Sequence, residues 1–129
     1  MKRNLSHFLV SSNAFFLLPF LLSLYLGIYL HAFSIFVCII GSVLYHQSGE
    51  TKMHLTDRYS AIQLILVNVI LLTLGGLKQD YLLIIILLIA TAFYFKWLAE
   101  HRNYSMWHSM WHVMSACITI ASILSYKSF

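Results

Sequence analysis

Five apolar runs divide the chain, at 13–30, 31–47, 59–77, 81–98 and 104–126, with only short polar stretches between them. A helix of about 20 apolar residues crosses the roughly 30 Å of bilayer hydrocarbon. There, every backbone N–H and C=O must be satisfied within the segment, which favours helices for runs of this kind. The expectation is an all-α integral membrane protein, one compact bundle of five transmembrane helices forming a single domain over 1–129. Charge content agrees: 9% of residues are Asp, Glu, Lys or Arg, against about a quarter in a soluble domain. No charge separates the first two runs, but together they are 35 residues long, too many for one crossing, and Gly27 to His31 supplies a turn. Gly75-Gly76 closes the third helix, and Lys78-Gln79-Asp80 forms the polar turn after it.

Lys2 and Arg3 ahead of an apolar run also fit a signal peptide, but the run's length, with Pro19 and Tyr25 inside it, favours a retained first helix. Five crossings put Lys2, Arg3, Lys52, Arg58, Lys96 and Arg102 on one side and only Lys78 and Lys127 on the other. The positive-inside rule makes the richer side, with the N-terminus, cytoplasmic. The net charge of +4 therefore reports on topology, and no nucleic-acid partner is expected. Cys38 and Cys117 sit inside apolar runs and read as small buried hydrophobes, not as a disulfide pair.

Residues 105–112 read SMWHSMWH, one tetrapeptide written twice. Four residues turn a helix by about 400°, so His108 and His112 share a face one turn apart. Two imidazoles grip one metal ion at that spacing in the His-x-x-x-His helices of zinc enzymes. The second run ends, and the third and fifth begin, on the cytoplasmic side. Ser42, His46, Asp57, His108 and His112 can therefore lie at one membrane depth, where ionisable groups mark functional sites by default. His46 is the third ligand of this reading. Three neutral imidazoles leave the fourth tetrahedral position of Zn²⁺ open for water, as in catalytic sites. Asp57 would hold the water and move its proton, and Ser42, one turn before His46, would orient it or stabilise an oxyanion.

Plainer readings stand beside these. Asp57 opens the third helix and suits an N-cap. Ser42 suits helix packing next to Gly41. The Met106/Met110 and Trp107/Trp111 stripes suit packing, and Asn68 an interhelical hydrogen bond. His7, His31 and His101 read as interfacial anchors. His54 is the rival third ligand, but it falls in the polar loop and has no hydroxyl residue four positions earlier.

Written out, Ser42-x3-His46-x10-Asp57 followed two helices later by His108-x3-His112 resembles the CREST superfamily of membrane hydrolases. That superfamily includes alkaline ceramidases, adiponectin and progestin receptors and hemolysin III-like proteins. The resemblance covers the second, third and fifth helices, and the ten-residue gap to Asp57 looks most like the ceramidases. It implies zinc held by His46, His108 and His112, with Asp57 and Ser42 as the catalytic carboxylate and hydroxyl. It also implies a membrane-lipid substrate, ceramide-like or another acyl lipid. Members usually have seven helices, so a five-helix relative implies a different substrate cavity or a homodimer that completes it. The competing classes are a zinc-stabilised membrane receptor or interaction protein, a haem-binding bundle, and a transporter. Haem ligands normally come from opposite helices, and the polar groups here gather at one end and trace no path across.

Overall fold

The computed structural model describes residues 7–48 and 51–128. Helix α1 (His7–Ser12) runs through one 3₁₀ turn (Asn13–Phe16) into α2 (Leu17–Tyr25). Four long helices follow: α3 (Tyr29–Ser48), α4 (Thr51–Leu74), α5 (Gln79–His101) and α6 (Tyr104–Lys127). All four are long and apolar enough to span a membrane. The N-terminal arm is the exception to the five expected spans: its apolar helical stretch, Leu9–Tyr25, is shorter and is interrupted by the 3₁₀ turn. Pro19 accounts for the break. It has no N–H for the carbonyl of Phe15, and its ring crowds that carbonyl. Lys2 and Arg3, which contribute to the charge asymmetry, lie outside the described residues, as does the side chain of His7.

The expected turns are present. Gly27 and Gly76 both sit at positive φ, +72° and +76°, where an L side chain is strained. Each closes its helix with a paired cap: Ile28 N–H to the Ser23 carbonyl at 2.8 Å and Leu77 N–H to the Leu72 carbonyl at 3.1 Å. The first turn is shorter than expected, so His31 belongs to α3. A larger difference lies in α4, which starts at Thr51 instead of near 59. Residues 52–58 are a polar continuation of the helix, beyond what an apolar pattern can register. Asp57 and His54 are thus interior helical residues, which removes both the N-cap reading of Asp57 and the loop placement of His54.

Helix α6 is the hub. It packs on α5, α4 and the N-terminal arm, while α3 packs on α4 and that same arm. Buried Ala116, Thr119, Ala121, Ser122 and Ser125 keep the α6 surface thin, so neighbouring backbones come close. On α3, a Cβ at Gly41 would lie 2.6 Å from Ser60 Oγ, which shows how closely α3 and α4 approach beside Ser42. Among the described residues, neither α4 and α5 nor α3 and α6 approach each other backbone to backbone. At the far end from the histidines, the Lys78 amine donates to the carbonyl and, at 3.2 Å, to the hydroxyl of Ser128, tying the α4–α5 turn to the end of α6. The outer face of α5 is bare: Ile84, Ile86, Leu87, Tyr94 and Trp97 are all exposed. Cys38 and Cys117 are both free thiols.

Candidate metal centre

At one end of the bundle, histidines of α3 and α6 face each other across the gap between the two helices. The N-cap of α6 is Asn103, whose side chain accepts the Met106 N–H at 3.2 Å. That start places His108 in the second turn of α6 and His112 in the third, with ring centroids 4.8 Å apart. His46, in the last turn of α3, faces both: its ring lies 5.1 Å from His108 and 5.5 Å from His112. One nitrogen from each of the three rings falls within 4.8 Å of the others. His46 and His112 are buried and His108 is half-buried. The expected histidine triad is therefore assembled. His54 is exposed, with its ring against Tyr45 at 5.1 Å, and does not join the group.

The nitrogens of this cluster have the chemistry of unfilled metal ligands. His46 Nε2 and His108 Nε2 are buried without any hydrogen-bond partner. Leaving buried polar atoms unsatisfied costs about 1–3 kcal/mol each, so a bound cation would relieve a real penalty. His112 is oriented by a residue that sequence reasoning did not single out. Ser12 Oγ lies 2.8 Å from the Leu9 carbonyl and 2.8 Å from His112 Nδ1. The carbonyl can only accept, so the hydroxyl donates to it and accepts from Nδ1–H. That assigns the His112 proton to Nδ1 and leaves the Nε2 lone pair for a metal. The signal for Ser12 in the sequence is slight: a serine in a helix 100 positions away, paired by folding alone.

Ser42 lies one turn before His46 on α3 and is 3% exposed, its hydroxyl buried without a hydrogen bond. It stands near the Asp57 carboxyl, outside hydrogen-bond geometry, and Asp57 is also within electrostatic reach of His54. Asp57 is half-buried and is not one of the converging ligands. The tryptophans of the repeated tetrapeptide dock α6 on α5: Trp107 stacks on Phe95 at 5.5 Å, and Trp111 meets Phe93 edge-on at 5.8 Å.

Two cavities meet at this site. The first, about 310 Å³, is a mostly apolar groove between α4 and α5 with α6 as its floor. It starts at Ser42, Asp57, His108 and His112 and continues past Leu64, Ile65, Ile89 and Val69 to Leu72 and Ile85. From Asp57 to Leu72, α4 rises about 22 Å, which sets the groove's length. The second, about 460 Å³, is a polar vestibule lined by His54, Asp57, Arg58, Lys96, Glu100, Tyr104 and His108. Asp57, His108 and Trp111 line both.

Of the other two histidines expected to be interfacial anchors, His101 is exposed, with its ring stacked on Trp97. His31 is not: it is completely buried, with Nδ1 2.8 Å from Ser23 Oγ and Nε2 2.8 Å from Asn68 Oδ1. Asn68 in turn donates to Thr119 Oγ1 at 3.2 Å, the interhelical role expected of it.

Set against protein-family profiles, curated proteins and solved structures, the chain matches none.

Proposed function

We propose that this chain is an integral membrane protein that holds zinc through His46, His108 and His112 and hydrolyses an acyl amide or ester bond of a membrane lipid. One observation carries the reading: three imidazoles converge, two of them with buried unpartnered nitrogens, and two of the three, His108 and His112, line the polar end of an apolar groove about 22 Å long. The groove opens where α4 and α5 fail to meet, so an acyl chain could enter sideways from the bilayer. Its headgroup would lie in the polar vestibule, beside the metal ligands. The similarity of the Ser42, His46, Asp57, His108 and His112 pattern to the CREST superfamily supports the same chemistry. Five crossings, with the N-terminal arm as the first, put the site on the cytoplasmic side by the charge bias.

When bound, such a metal supplies Lewis acidity and an acidified water. The chain's own residues do the rest. Asp57, at the junction of groove and vestibule, takes and returns a proton as general base and acid. Ser42 Oγ, with its hydrogen unclaimed, donates to the oxygen that gains charge at the scissile carbonyl. Phe16 and the apolar wall keep bulk water from the acyl side.

The test is metal analysis of purified protein together with release of fatty acid from acyl lipids in detergent. About one zinc per chain and lipid cleavage that is lost on chelation are expected; metal-replete protein with no zinc would overturn the proposal. A second reading has its own support. α3 and α6 do not touch by backbone, and a metal across His46 and α6 would staple them, as in a zinc-stabilised receptor. In that case chelation lowers the melting temperature while no lipid is ever cleaved.

A further inference from the structure

Next to Ser12, the residue that orients His112, the 3₁₀ turn begins with Asn13. Asn13 is 3% exposed, and it lines the apolar groove together with Phe16, Ser42 and His112. Its amide nitrogen donates to the Leu9 carbonyl at 3.2 Å. That bond fixes the amide's orientation, because a flipped group would set two acceptors against each other. The other end, Oδ1, is buried and has no partner. A carboxamide oxygen only accepts, and in an apolar cleft an unmet acceptor is costly. Ser42 Oγ lines the same end of the groove and is equally unpartnered, but a hydroxyl can donate. The histidine end of the groove is thus lined by Ser42, whose buried hydroxyl has no partner and can donate, and by Asn13, whose buried Oδ1 has no partner and can only accept. An acyl carbonyl satisfies the first only.

We infer that Asn13 is a recognition residue of the groove, whose Oδ1 accepts a hydrogen bond from an N–H or O–H that the lipid carries beside its acyl carbonyl. This rests on the reading of the groove as an acyl-lipid site. A secondary amide supplies the donor through its nitrogen, and a hydroxylated ester through its alcohol portion. A simple alkyl ester supplies none and leaves Oδ1 buried and unpaired. Sites built around such an acceptor reject ligands that lack the donor.

The test uses three ligands with one acyl chain: a palmitoyl secondary amide, monopalmitoylglycerol and a simple palmitoyl alkyl ester. Their binding to the full metal-loaded chain in micelles is read by displacement of a fluorescent acyl lipid, before any turnover. At least one donor-bearing ligand should bind roughly ten- to hundredfold more tightly than the alkyl ester, and the tighter of the two identifies the donor. In Asn13→Leu that ratio should fall to within about twofold, while Phe16→Leu on the same wall should weaken all three ligands together. Equal binding of all three by the unaltered chain overturns the assignment, and so does a full preference in folded Asn13→Leu. If Asn13→Leu does not fold, the three-ligand comparison on the unaltered chain still decides. Discrimination without cleavage of any ligand would leave Asn13 its role and remove the hydrolase. Cleavage without discrimination would do the reverse.

Discussion

The bundle buries histidines in two places, and the two are treated oppositely. His31 has both ring nitrogens engaged, one by Ser23 and one by Asn68, and the chain continues through Thr119 to the Ser115 carbonyl. Since Asn68 Oδ1 can only accept, Nε2 of His31 carries the proton and Nδ1 accepts from Ser23. It is a satisfied neutral group that links α2, α3, α4 and α6. In the second cluster, His46 and His108 each have a buried nitrogen with no partner, and His112 is held at its Nδ1 by Ser12. Burial alone therefore does not distinguish a structural histidine from a ligand. The unfilled lone pair does.

The sharpest way to break this contrast is to remove one ring from each cluster. His112→Ala or His108→Ala should abolish metal binding, read as zinc per chain falling from about one to near zero, because two imidazoles rarely hold zinc in competition with water. His31→Ala should leave zinc content unchanged. If His31→Ala loses metal and His112→Ala keeps it, the two clusters have been assigned the wrong way round.

Next in size is the separation of metal holding from turnover. Asp57 lines both cavities but is not among the converging ligands. Asp57→Asn should keep full zinc and lower lipid hydrolysis by about 10²–10⁴, the usual contribution of a general base. An Asp57→Asn protein with normal turnover would leave the carboxylate with a structural part only.

For the satisfied cluster the readout is stability. His31→Leu strips partners from Ser23 Oγ and Asn68 Oδ1 in the core, at about 1–3 kcal/mol for each stranded group. A loss of roughly 2–4 kcal/mol in denaturant titration is expected, with zinc retained. A neutral outcome would mean that the network adds nothing beyond packing.

The long helices were legible because apolar runs of spanning length leave few alternatives, and their turns because glycine at positive φ ends helices in a specific way. The pair His108 and His112 was legible from a spacing of four, and His46 from the direction of each crossing. The start of α4 was not, because residues 52–58 form a polar helix that no hydropathy pattern separates from a loop. That hid the helical position of Asp57, although its place at the site survived, since either reading sets it at the same end of the bundle. His31 and His46 look alike as isolated letters: each is one histidine near the end of an apolar run. What separates them is whether Ser23 and Asn68, 8 and 37 positions away, arrive on its nitrogens. The break at Pro19 was not legible either, nor the tighter turn that brings Ser12 and Asn13 to the histidine end.

Ser12 is where the two clusters become most alike, since it treats His112 as Ser23 treats His31: one hydroxyl on one Nδ1 at 2.8 Å. The direction of the proton is reversed. Ser23 donates to His31, while Ser12, its own hydrogen held by the Leu9 carbonyl, accepts from His112. Only the second arrangement leaves Nε2 as a lone pair, which is what a metal requires. Ser12→Ala should therefore weaken zinc binding by about 10- to 100-fold without abolishing it, as loss of a hydrogen bond to a ligating histidine does. Ser23→Ala should leave zinc affinity unchanged and cost about 1 kcal/mol of stability. Competition with a chromogenic chelator measures the first and denaturant titration the second. Equal zinc affinity in the two variants would mean that the N-terminal arm packs against the histidine cluster without orienting it.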